Sequence, residues 1–591
     1  KRTALNQVGG AYVTGDKGQM KLEAGRDLNL QAVEIVTEGK DSKAAMSAGR
    51  DVNLSTTEVG SANAIAWDDK NYRKDVSSQD VGTSIQAGGD LDIKAGRDVS
   101  ATGAYVAAEQ KLNVEAGNNI NIEAGRHKEQ VEEHHVHKGK SGGGNSLTKT
   151  TDERLDGNYA LGSTVTGDKV SLHAGQDVNV TGSNVVGSND VDIKAQGDVH
   201  ITPAEESQKE KHFFFFFAKG IFGSGFGFVI GKQTTTEKQD VQSKMQAGST
   251  VGSVTGNVNI AAGQNLQVEG SNIVAGKDIN MSGAKVDIQA AEETYDSQYR
   301  YDYSLQGLTV SVGGGAVEKG QKVIGSLERA HQVKDKRLSA LYGVKAIQDA
   351  ANIGLKKNKE FSINVGIGSY KEAMNSDTTI KAAKESSIQA GGDVQIKATA
   401  QDINVVGSTV SGNNITLEAA ENVNIQATEN SFTNETDTSS TSVGAGITLS
   451  PNTPSGLYVS AGKSREDQNT TKTTHTPSTI TAQDKLTIKS GKDTNIVGSQ
   501  VKGDRVEAQV GGNLNLESLQ DTESYKEKSA QASVNIGVGT ATVGASAGKM
   551  TSDYSSVTSQ AGIYAGKEGF DINVKGNTDL KGAVIDSKGE P

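Results

Sequence analysis

The chain has 591 residues, a net charge of −12 and no cysteine, and aromatic residues make up only 4% of it. So few large side chains do not fill the core of a globular enzyme of this length, and the lack of cysteine excludes a disulfide scaffold. The acidic balance, without a run of Lys and Arg, excludes a nucleic-acid partner, because phosphate backbones are bound by clustered cations. Disorder of the whole chain is the competing interpretation, and the regular aliphatic spacing described next argues against it.

The chain starts with Lys-Arg-Thr-Ala, which includes neither an initiator Met nor a signal peptide. We therefore expect an interior fragment of a longer protein. Nowhere do about 20 consecutive apolar residues occur, so no transmembrane helix is predicted.

A short unit, A-G-x-[DN]-Φ-[ND]-Φ with Φ aliphatic, recurs along the chain. It begins at Ala24 as A-G-R-D-L-N-L and at Ala48 as A-G-R-D-V-N-L, and further copies begin at Ala95, Ala116, Ala174, Ala262, Ala275 and Ala390. Alternating aliphatic residues predict a short strand with one buried face. Gly with Asp or Asn predicts the turn before it, because these residues tolerate positive φ and cap nearby backbone groups.

The spacing of the units fits one coil of a parallel β-helix. Asp98 and Asn119 lie about 21 residues apart, whereas propeller blades need about 40 residues, and leucine-rich repeats need a Leu signature that is missing here. A second element, Gly-Ser-x-Val or Gly-Ser-x-Ile, falls between the units and begins at Gly162, Gly182, Gly270, Gly407 and Gly498. Its recurrence once per coil predicts a fixed structural role rather than a repeated ligand site.

Six interruptions divide the predicted shaft. Coils are predicted at 1–125, with an excursion near 60–80, and at 161–202, 247–291, 385–427, 479–516 and 558–591. Between them we predict a polar excursion at 126–160, a Phe- and Gly-rich hairpin at 203–246, a hairpin with a helical insert at 292–384, and hairpins at 428–478 and 517–557. Glycine-rich alternation predicts the hairpins, and apolar residues at helical spacing predict one or two helices over 318–357. The predicted fold is all-β: a parallel β-helix (solenoid) shaft with protruding antiparallel β-hairpin excursions and a small helical insert.

The most apolar excursion contains five consecutive phenylalanines. Such exposed apolar surface usually marks a contact with a partner or a membrane, and the alternative is a hairpin that folds back over the shaft. With apolar positions of two later hairpins, the candidate membrane or partner contact comprises Phe213, Phe214, Phe215, Phe216, Phe217, Ile221, Phe222, Phe226, Phe228, Val443, Ile447, Leu449, Val534, Ile536 and Val538.

No catalytic, cofactor or metal site is predicted. Histidines and glutamates lie together at His127, Glu132, Glu133, His134, His135 and His137. No second ligand pair accompanies them, so a solvated loop is the preferred interpretation over zinc. The Asp residues do not follow the calcium-binding nonapeptide register, and the carboxylates recur with the turns rather than pairing in a cleft as a β-helix lyase requires. An enzyme is therefore not expected.

The A-G-x-[DN]-Φ-[ND]-Φ units and Gly-Ser-x-Val elements resemble the haemagglutinin repeats of filamentous haemagglutinin-like exoproteins, and most closely the second repeat region of contact-dependent growth-inhibition effector proteins. The resemblance implies a secreted or cell-surface protein of a Gram-negative bacterium, exported by two-partner secretion through an outer-membrane transporter. It also implies an amino-terminal secretion domain and a carboxy-terminal toxin outside this fragment. In that family the region is associated with carrying the toxin across the target cell's outer membrane, so that membrane or a receptor is the expected partner. The alternative is an adhesive filament shaft that mediates cell attachment.

Overall fold

The computed structural model describes residues 2–141, 145–224, 227–313, 362–449 and 456–589. Every regular element in these ranges is a β-strand. The strands form a shaft of stacked coils and a separate antiparallel sheet, which confirms the predicted all-β class. The helical insert predicted at 318–357 lies outside the described residues. Within the described ranges no helix is long and apolar enough to span a membrane.

Each coil of the shaft contains three short strands, and equivalent strands of successive coils pair in parallel. The first strands are Gly10–Val13, Glu34–Thr37, Ser84–Ala87, Tyr105–Ala108, Thr164–Gly167, Asn184–Gly187, Thr250–Ser253, Asn272–Ala275, Ser387–Ala390, Thr409–Gly412, Thr479–Ala482 and Val584–Ser587. The second strands are Gln19–Ala24, Lys43–Ala48, Asp90–Ala95, Lys111–Ala116, Lys169–Ala174, Val191–Ala195, Val258–Ala262, Ile279–Gly283, Val394–Ala398, Ile415–Ala419 and Lys485–Ser490. Two long strands run through both positions, Gln500–Val510 and Gly562–Val574. The third strands are Leu28–Gln31, Val52–Ser55, Val99–Thr102, Ile120–Glu123, Val178–Thr181, Val199–Thr202, Asn265–Glu269, Lys285–Gln289, Ile403–Val406, Val423–Gln426, Thr494–Val497, Leu514–Glu517 and Thr578–Lys581.

The core of the shaft is a stack of aliphatic side chains, because alternate residues of each strand point inward. Ile85 pairs with Val106, which pairs with Val165, and all three are at most 3% exposed. Ladders of this kind join the apolar residues of both sequence elements into one cluster along the shaft. Each coil buries its apolar residues against its neighbours, so stability requires the stack.

The Asp and Asn residues of the A-G-x-[DN] turn do not adopt positive φ, contrary to the prediction. Among the described non-glycine residues, positive φ occurs only at Ala32. The side-chain oxygens instead accept a backbone N–H from the next coil. Asp177 Oδ1 accepts the N–H of Asp198 at 2.8 Å, and Asp493 Oδ1 accepts the N–H of Asn513 at 2.7 Å. This N–H has no partner in the strand ladders, so it needs a side-chain acceptor. Asp and Asn both supply one, which explains why either residue occupies the position.

Within the described ranges, six antiparallel hairpins leave the shaft between the third strand of one coil and the first strand of the next. Numbered 1 to 6 in chain order, they are Thr57–Asp68 with Asn71–Val81, Gly125–Ser141 with Asn145–Leu161, Ala204–Ser224 with Gly227–Ala247, Ala291–Gly313 with Ser362–Lys384, Thr428–Leu449 with Gly456–Thr476, and Asp521–Gly537 with Thr540–Ser556. The second strand of each hairpin pairs with the first strand of the next hairpin. With the short strand Arg2–Thr3 at one edge, they form one continuous hairpin sheet. The excursion at 126–160, predicted only as polar, is a hairpin like the others.

Hairpins leave the shaft at every second coil. At the coils between them the corner residue has a left-handed backbone, with φ of 47° at Ala32 and of 50° to 63° at Gly103, Gly182, Gly270, Gly407, Gly498 and Gly582. Paired strands lie about 4.8 Å apart, so one hairpin of two strands is as wide as two coils. Alternation therefore lets neighbouring hairpins pair edge to edge without a gap and without crowding.

A buried corner serine closes the coil whether or not a hairpin intervenes. Where no hairpin intervenes, Ser183 donates its hydroxyl to the Thr181 carbonyl, two residues earlier, at 2.9 Å. After hairpin 3, Ser249 donates to the Thr202 carbonyl at 2.7 Å across 47 positions. Both hydroxyls reach the end of the preceding third strand. A hairpin is thus an insertion that leaves the coil unchanged, and the Gly-Ser element has a structural role in the coil.

Removing one hairpin should split the hairpin sheet and spare the shaft. Deleting residues 203–247 leaves Thr202-Gly248-Ser249, the same sequence as Thr181-Gly182-Ser183. We expect shaft amides to stay protected from hydrogen exchange, while amides of Asn145–Leu161 and Ala291–Gly313 lose protection because a gap about two strands wide separates them. Loss of protection throughout the shaft would contradict the conclusion that a hairpin is an insertion that leaves the coil unchanged.

A side chain at a corner glycine should destabilise the coils around it. Gly407 has a φ of 54°, and a Cβ there would lie 2.4 Å from Thr428 Cγ2. We expect Gly407→Val to lower the local free energy of unfolding by about 2–4 kcal/mol, measured by hydrogen exchange. Gly25→Ala is the control, because a Cβ at Gly25 meets no atom within 4 Å. Equal effects of the two substitutions would show that the corner conformation does not matter.

Candidate functional site

The distal part of hairpins 3 to 6 has two different faces. Successive residues of a strand alternate between the faces, and paired residues share one. One face has three apolar rows, paired in register: Ile230, Leu308, Ile367, Ala445, Val459 and Ile536; Val365, Ile447 and Leu457; Val443, Ala461, Val534 and Val543. The other face has a row of glycines, Gly220, Gly231, Gly307, Gly368 and Gly444. We call them the apolar face and the glycine face.

The apolar face is open to solvent. Ile367 is 71% exposed, Leu457 72% and Val543 78%. The three rows contain 13 residues, and each covers about 4.8 by 6.8 Å of the sheet, so the patch has an area of roughly 400 Å². The largest apolar patch on a typical soluble monomer has this size, and such a patch is often a functional surface.

The glycine face is closely packed. A Cβ at Gly307 would lie 2.6 Å from Gly231 Cα, and one at Gly366 would lie 2.6 Å from the Tyr458 hydroxyl. Side chains larger than hydrogen therefore do not fit at these two positions. The apolar residues of the distal strands are thus concentrated on the opposite face.

A side-chain acceptor closes each seam between neighbouring hairpins near the shaft. Glu206 Oε1 accepts the N–H of Ala160 at 2.9 Å, and Asp521 Oδ1 accepts the N–H of His475 at 2.9 Å. The other three seams have the equivalent bonds from Arg126 to Asp80, from Gln246 to Glu293 and from Ala383 to Asn430. The acceptors cap N–H groups at the end of the strand ladder, so they fix the base of the sheet. No sequence pattern singled out these acceptors, because each lies in a polar stretch of its hairpin.

The run Phe213–Phe217 lies in the middle of hairpin 3 and not at its tip. Its phenylalanines alternate between the two faces and are half-buried between the strands Asn145–Leu161 and Gly227–Ala247.

The alternative in which this hairpin covers the shaft is not observed, because in the described ranges no hairpin strand packs along a shaft strand. Close approaches occur at the hairpin roots, as between Gly182 and Ala204.

The other predicted contact residues lie nearer the tips. Val443, Ile447, Val534 and Ile536 are on the apolar face, 36% to 54% exposed, and Val538 lies in the turn of hairpin 6. Ile221, Phe222, Phe228 and Leu449 belong to the distal strand ends, and Phe226 lies outside the described residues. Residues missing from the predicted contact are Ile230, Leu308, Ile367, Leu457, Val459 and Val543. They show the same alternation, but only the pairing between hairpins brings them together.

The predicted histidine cluster lies in a strand and not in a loop. All four histidines belong to Gly125–Ser141 of hairpin 2. His135 Nε2 lies 2.5 Å from Glu133 Oε1, and His134 contacts Asp152. Strand alternation places His134 and His135 on opposite faces. No group of three or more side chains suited to a metal ion occurs in the part of the chain that the structure describes.

The repeat and its architecture match a known family. The family described as Hemagglutinin repeat matches residues 3–137, 66–213, 230–364 and 365–532. The chain belongs to the hemagglutinin repeat family. This membership confirms the resemblance that the A-G-x-[DN]-Φ-[ND]-Φ units predicted.

Relatives of this hemagglutinin-repeat chain include much longer proteins. The 16S rRNA endonuclease CdiA of Enterobacter cloacae is 32% identical over 87% of this chain and 16% of the relative. The tRNA nuclease CdiA of Yersinia mollaretii is 29% identical over 85% of this chain and 17% of the relative, and the deoxyribonuclease CdiA of Yersinia pseudotuberculosis is 33% identical over 70% and 40%. The chain thus spans about a sixth of the first two relatives. No solved structure matches it.

The nuclease names belong to the whole relatives. Because the chain covers a minor part of each, it corresponds to a repeat region within such proteins. That this region is not itself an enzyme stays a prediction.

Acid should loosen the seam between hairpins 5 and 6. Burial alone would raise the pKa of Asp521, but hydrogen bonds from Thr558, the His475 side chain and the His475 N–H outweigh it, so the pKa lies below its ordinary value. A carboxyl with a lowered pKa stabilises the fold above its unfolded pKa of about 3.9 and loses that contribution as the pH falls towards the folded value.

We therefore expect amides of this seam to lose protection below about pH 4, measured by hydrogen exchange corrected for the intrinsic rate. The seam between hairpins 4 and 5 is an internal control, because its acceptor is Asn430, which does not titrate. In the Asp521→Asn variant, the protection of amides in the seam between hairpins 5 and 6 should no longer depend on pH. Parallel loosening of both seams would exclude Asp521 as the cause.

Proposed function

We propose that this region is a non-catalytic delivery module of a secreted Gram-negative surface exoprotein. In this proposal it helps to carry a C-terminal toxin across the outer membrane of a target cell during contact-dependent growth inhibition. The full-length protein reaches the cell surface through an outer-membrane transporter, and the module then engages the target outer membrane or a receptor in it. Relatives with names such as Toxin CdiA and tRNA nuclease CdiA support this assignment.

The observation that carries the proposal is the exposed apolar face at the distal end of the hairpin sheet. Its side chains make no core with the shaft, and 40% to 78% of the surface of Leu308, Ile367, Leu457 and Val543 is open to solvent. Keeping such surface in water is unfavourable by about 25 cal/mol per Å², so a contact that buries it is favoured. A lipid phase provides that contact.

Pairing between hairpins makes the contact compatible with a membrane. A single hairpin in hydrocarbon would expose unpaired N–H and C=O groups along both edges, which costs several kcal/mol per group. Between hairpins 3, 4, 5 and 6 each inner edge is satisfied by a neighbouring hairpin along most of its length. The central hairpins 3 to 5 therefore reach outward as one hydrogen-bonded unit.

The second candidate is an adhesive filament shaft that mediates cell attachment. It is favoured by the continuous ladders of the shaft, which make it a rod from which the hairpins project. Under this alternative the hairpins bind a host surface without entering a membrane.

Flotation with outer-membrane vesicles separates the two candidates. The 591-residue chain is mixed with Gram-negative outer-membrane vesicles, floated on a density gradient and digested with protease. The test variant carries Ile367→Ser, Leu457→Ser and Ile536→Ser on the apolar face. The matched control carries Val254→Ser, Val274→Ser and Leu580→Ser at exposed shaft positions.

We expect the parent and the control to float with fragments of hairpins 3 to 5 protected from protease. Flotation of the apolar-face variant should fall at least about tenfold, because each lost side chain removes about 1.5–3 kcal/mol of burial. No flotation of the parent, or flotation with every hairpin cleaved, would favour the adhesive shaft.

A further inference from the structure

The distal strand segments of hairpins 3 to 6 form a zone without charge, whereas the sequence 314–361 between the two strands of hairpin 4 contains 15 charged residues. Eight aligned segments contain no Asp, Glu, Lys or Arg: residues 220–224, 227–231, 307–313, 362–370, 442–449, 456–462, 529–537 and 540–548. Charged residues make up 22% of the whole chain. Because the segments lie side by side in the sheet, the zone continues across all eight strands.

Lysines mark the border of this zone. In six of the eight strands, the first charged residue towards the shaft is Lys219, Lys232, Lys371, Lys463, Lys528 or Lys549. All six are exposed. Residues an even number of positions apart in a strand share a face, and so do paired residues. Lys232 is two residues from Ile230 of the apolar face, and Lys219 pairs with Lys232. The other four lysines are each an even number of residues from an apolar-face residue of their own strand. The six lysines thus share the apolar face, and we call them the lysine collar.

Carboxylates lie nearer the shaft than the four outermost collar members, Lys219, Lys232, Lys371 and Lys463. The other two, Lys528 and Lys549, are level with Asp437. The other two strands have Asp302 and Asp437 as their first charges. The ion pairs of these hairpins are also further in, between Arg300 and Asp377 at 2.7 Å and between Arg465 and Asp467 at 2.8 Å. A chain with a net charge of −12 therefore has cations at the border of its uncharged zone. This order of charges favours an anionic partner at that level.

The depth of the zone fits one lipid leaflet. Lys219 and Lys232 lie about five residues from the ends of their strands at Ser224 and Gly227, which is about 17 Å of extended chain. Half of the roughly 30 Å hydrocarbon core is about 15 Å, which matches hairpin 3. The uncharged segments of hairpins 4 to 6 are longer, with seven to nine residues. The three apolar rows themselves span four residue steps along a strand, about 14 Å, so the apolar face also fits one leaflet. The ammonium group of a lysine at this level reaches phosphate while its stem lies on apolar surface.

We propose that the apolar face enters a single leaflet of a lipid surface that contains anionic phosphate head groups, and that the lysine collar binds those phosphates. This inference rests on the proposed function and adds the depth of insertion and the charge of the lipid. A lysine near an anionic surface strengthens binding by about fivefold. The four outermost collar lysines therefore contribute a large part of the affinity.

Vesicles of defined composition test the collar. The 591-residue chain is floated with vesicles of phosphatidylcholine alone and with vesicles of phosphatidylcholine and phosphatidylglycerol at 7:3. The collar variant carries Lys219→Gln, Lys232→Gln, Lys371→Gln and Lys463→Gln. The charge-matched control carries Lys111→Gln, Lys194→Gln, Lys277→Gln and Lys567→Gln, all exposed on the shaft.

We expect the parent and the control to bind the anionic vesicles at least about tenfold more tightly than the neutral ones, and binding to weaken from 50 to 500 mM salt. The collar variant should lose most of this preference. Protease and quencher accessibility should show the apolar rows and the tip of hairpin 3 within one leaflet.

Equal binding of the parent to both vesicles, or an unchanged preference in the collar variant, would overturn the inference. Both results leave the proposed function standing, provided that outer-membrane vesicles still bind through the apolar face. If the parent binds neither lipid vesicle and instead self-associates through the apolar face, a second copy is the occupant and the inference fails. The proposed function fails on a different result, namely that the parent chain does not float with outer-membrane vesicles.

Discussion

The hairpin sheet depends on a match between two widths. Successive coils of the shaft are one strand spacing apart, about 4.8 Å, and a hairpin is two strand spacings wide. A hairpin at each coil would crowd its neighbours, and a hairpin at each third coil would leave their edges unpaired. Because hairpins leave at alternate coils, the backbone groups of twelve strands find partners within one sheet. The apolar face exists as a continuous surface only because of this pairing.

The shaft and the hairpin sheet are stabilised in different ways. The shaft has an interior, and residues such as Val178 and Ile201 are fully buried in it. The hairpin sheet is a single layer, so its strands are stabilised by backbone ladders, by ion pairs such as Arg300–Asp377, and by acceptors such as Glu206 at the seams. Because no second layer covers this sheet in the part of the chain that the structure describes, the apolar side chains of its distal rows are available for a partner.

Local patterns predicted much of the fold, because the β-helix repeats one set of short-range rules. The strand of Φ-[ND]-Φ, the corner at Gly-Ser and several hairpins are each encoded within about ten residues. The role of Asp177 was predicted wrongly, since its oxygen serves the backbone of another coil and not its own. The composition of the apolar face was only partly predicted. Ile230 and Ile536 share one row of this face although four strands lie between them. Alternation within one hairpin contains no information about which hairpin lies beside it.

The corner conformation also limits how such a chain changes length in evolution. Duplicating one coil would place two left-handed corners, such as that of Gly182, or two hairpins in succession. Hairpins would then no longer leave at alternate coils, and those on either side of the duplication would lose their register. Duplicating a pair of coils with one hairpin preserves every contact on both sides. The heritable unit of this architecture is therefore the coil pair, and the lengths of its hairpins, from Thr57–Asp68 to Ala291–Gly313, can vary independently of the shaft.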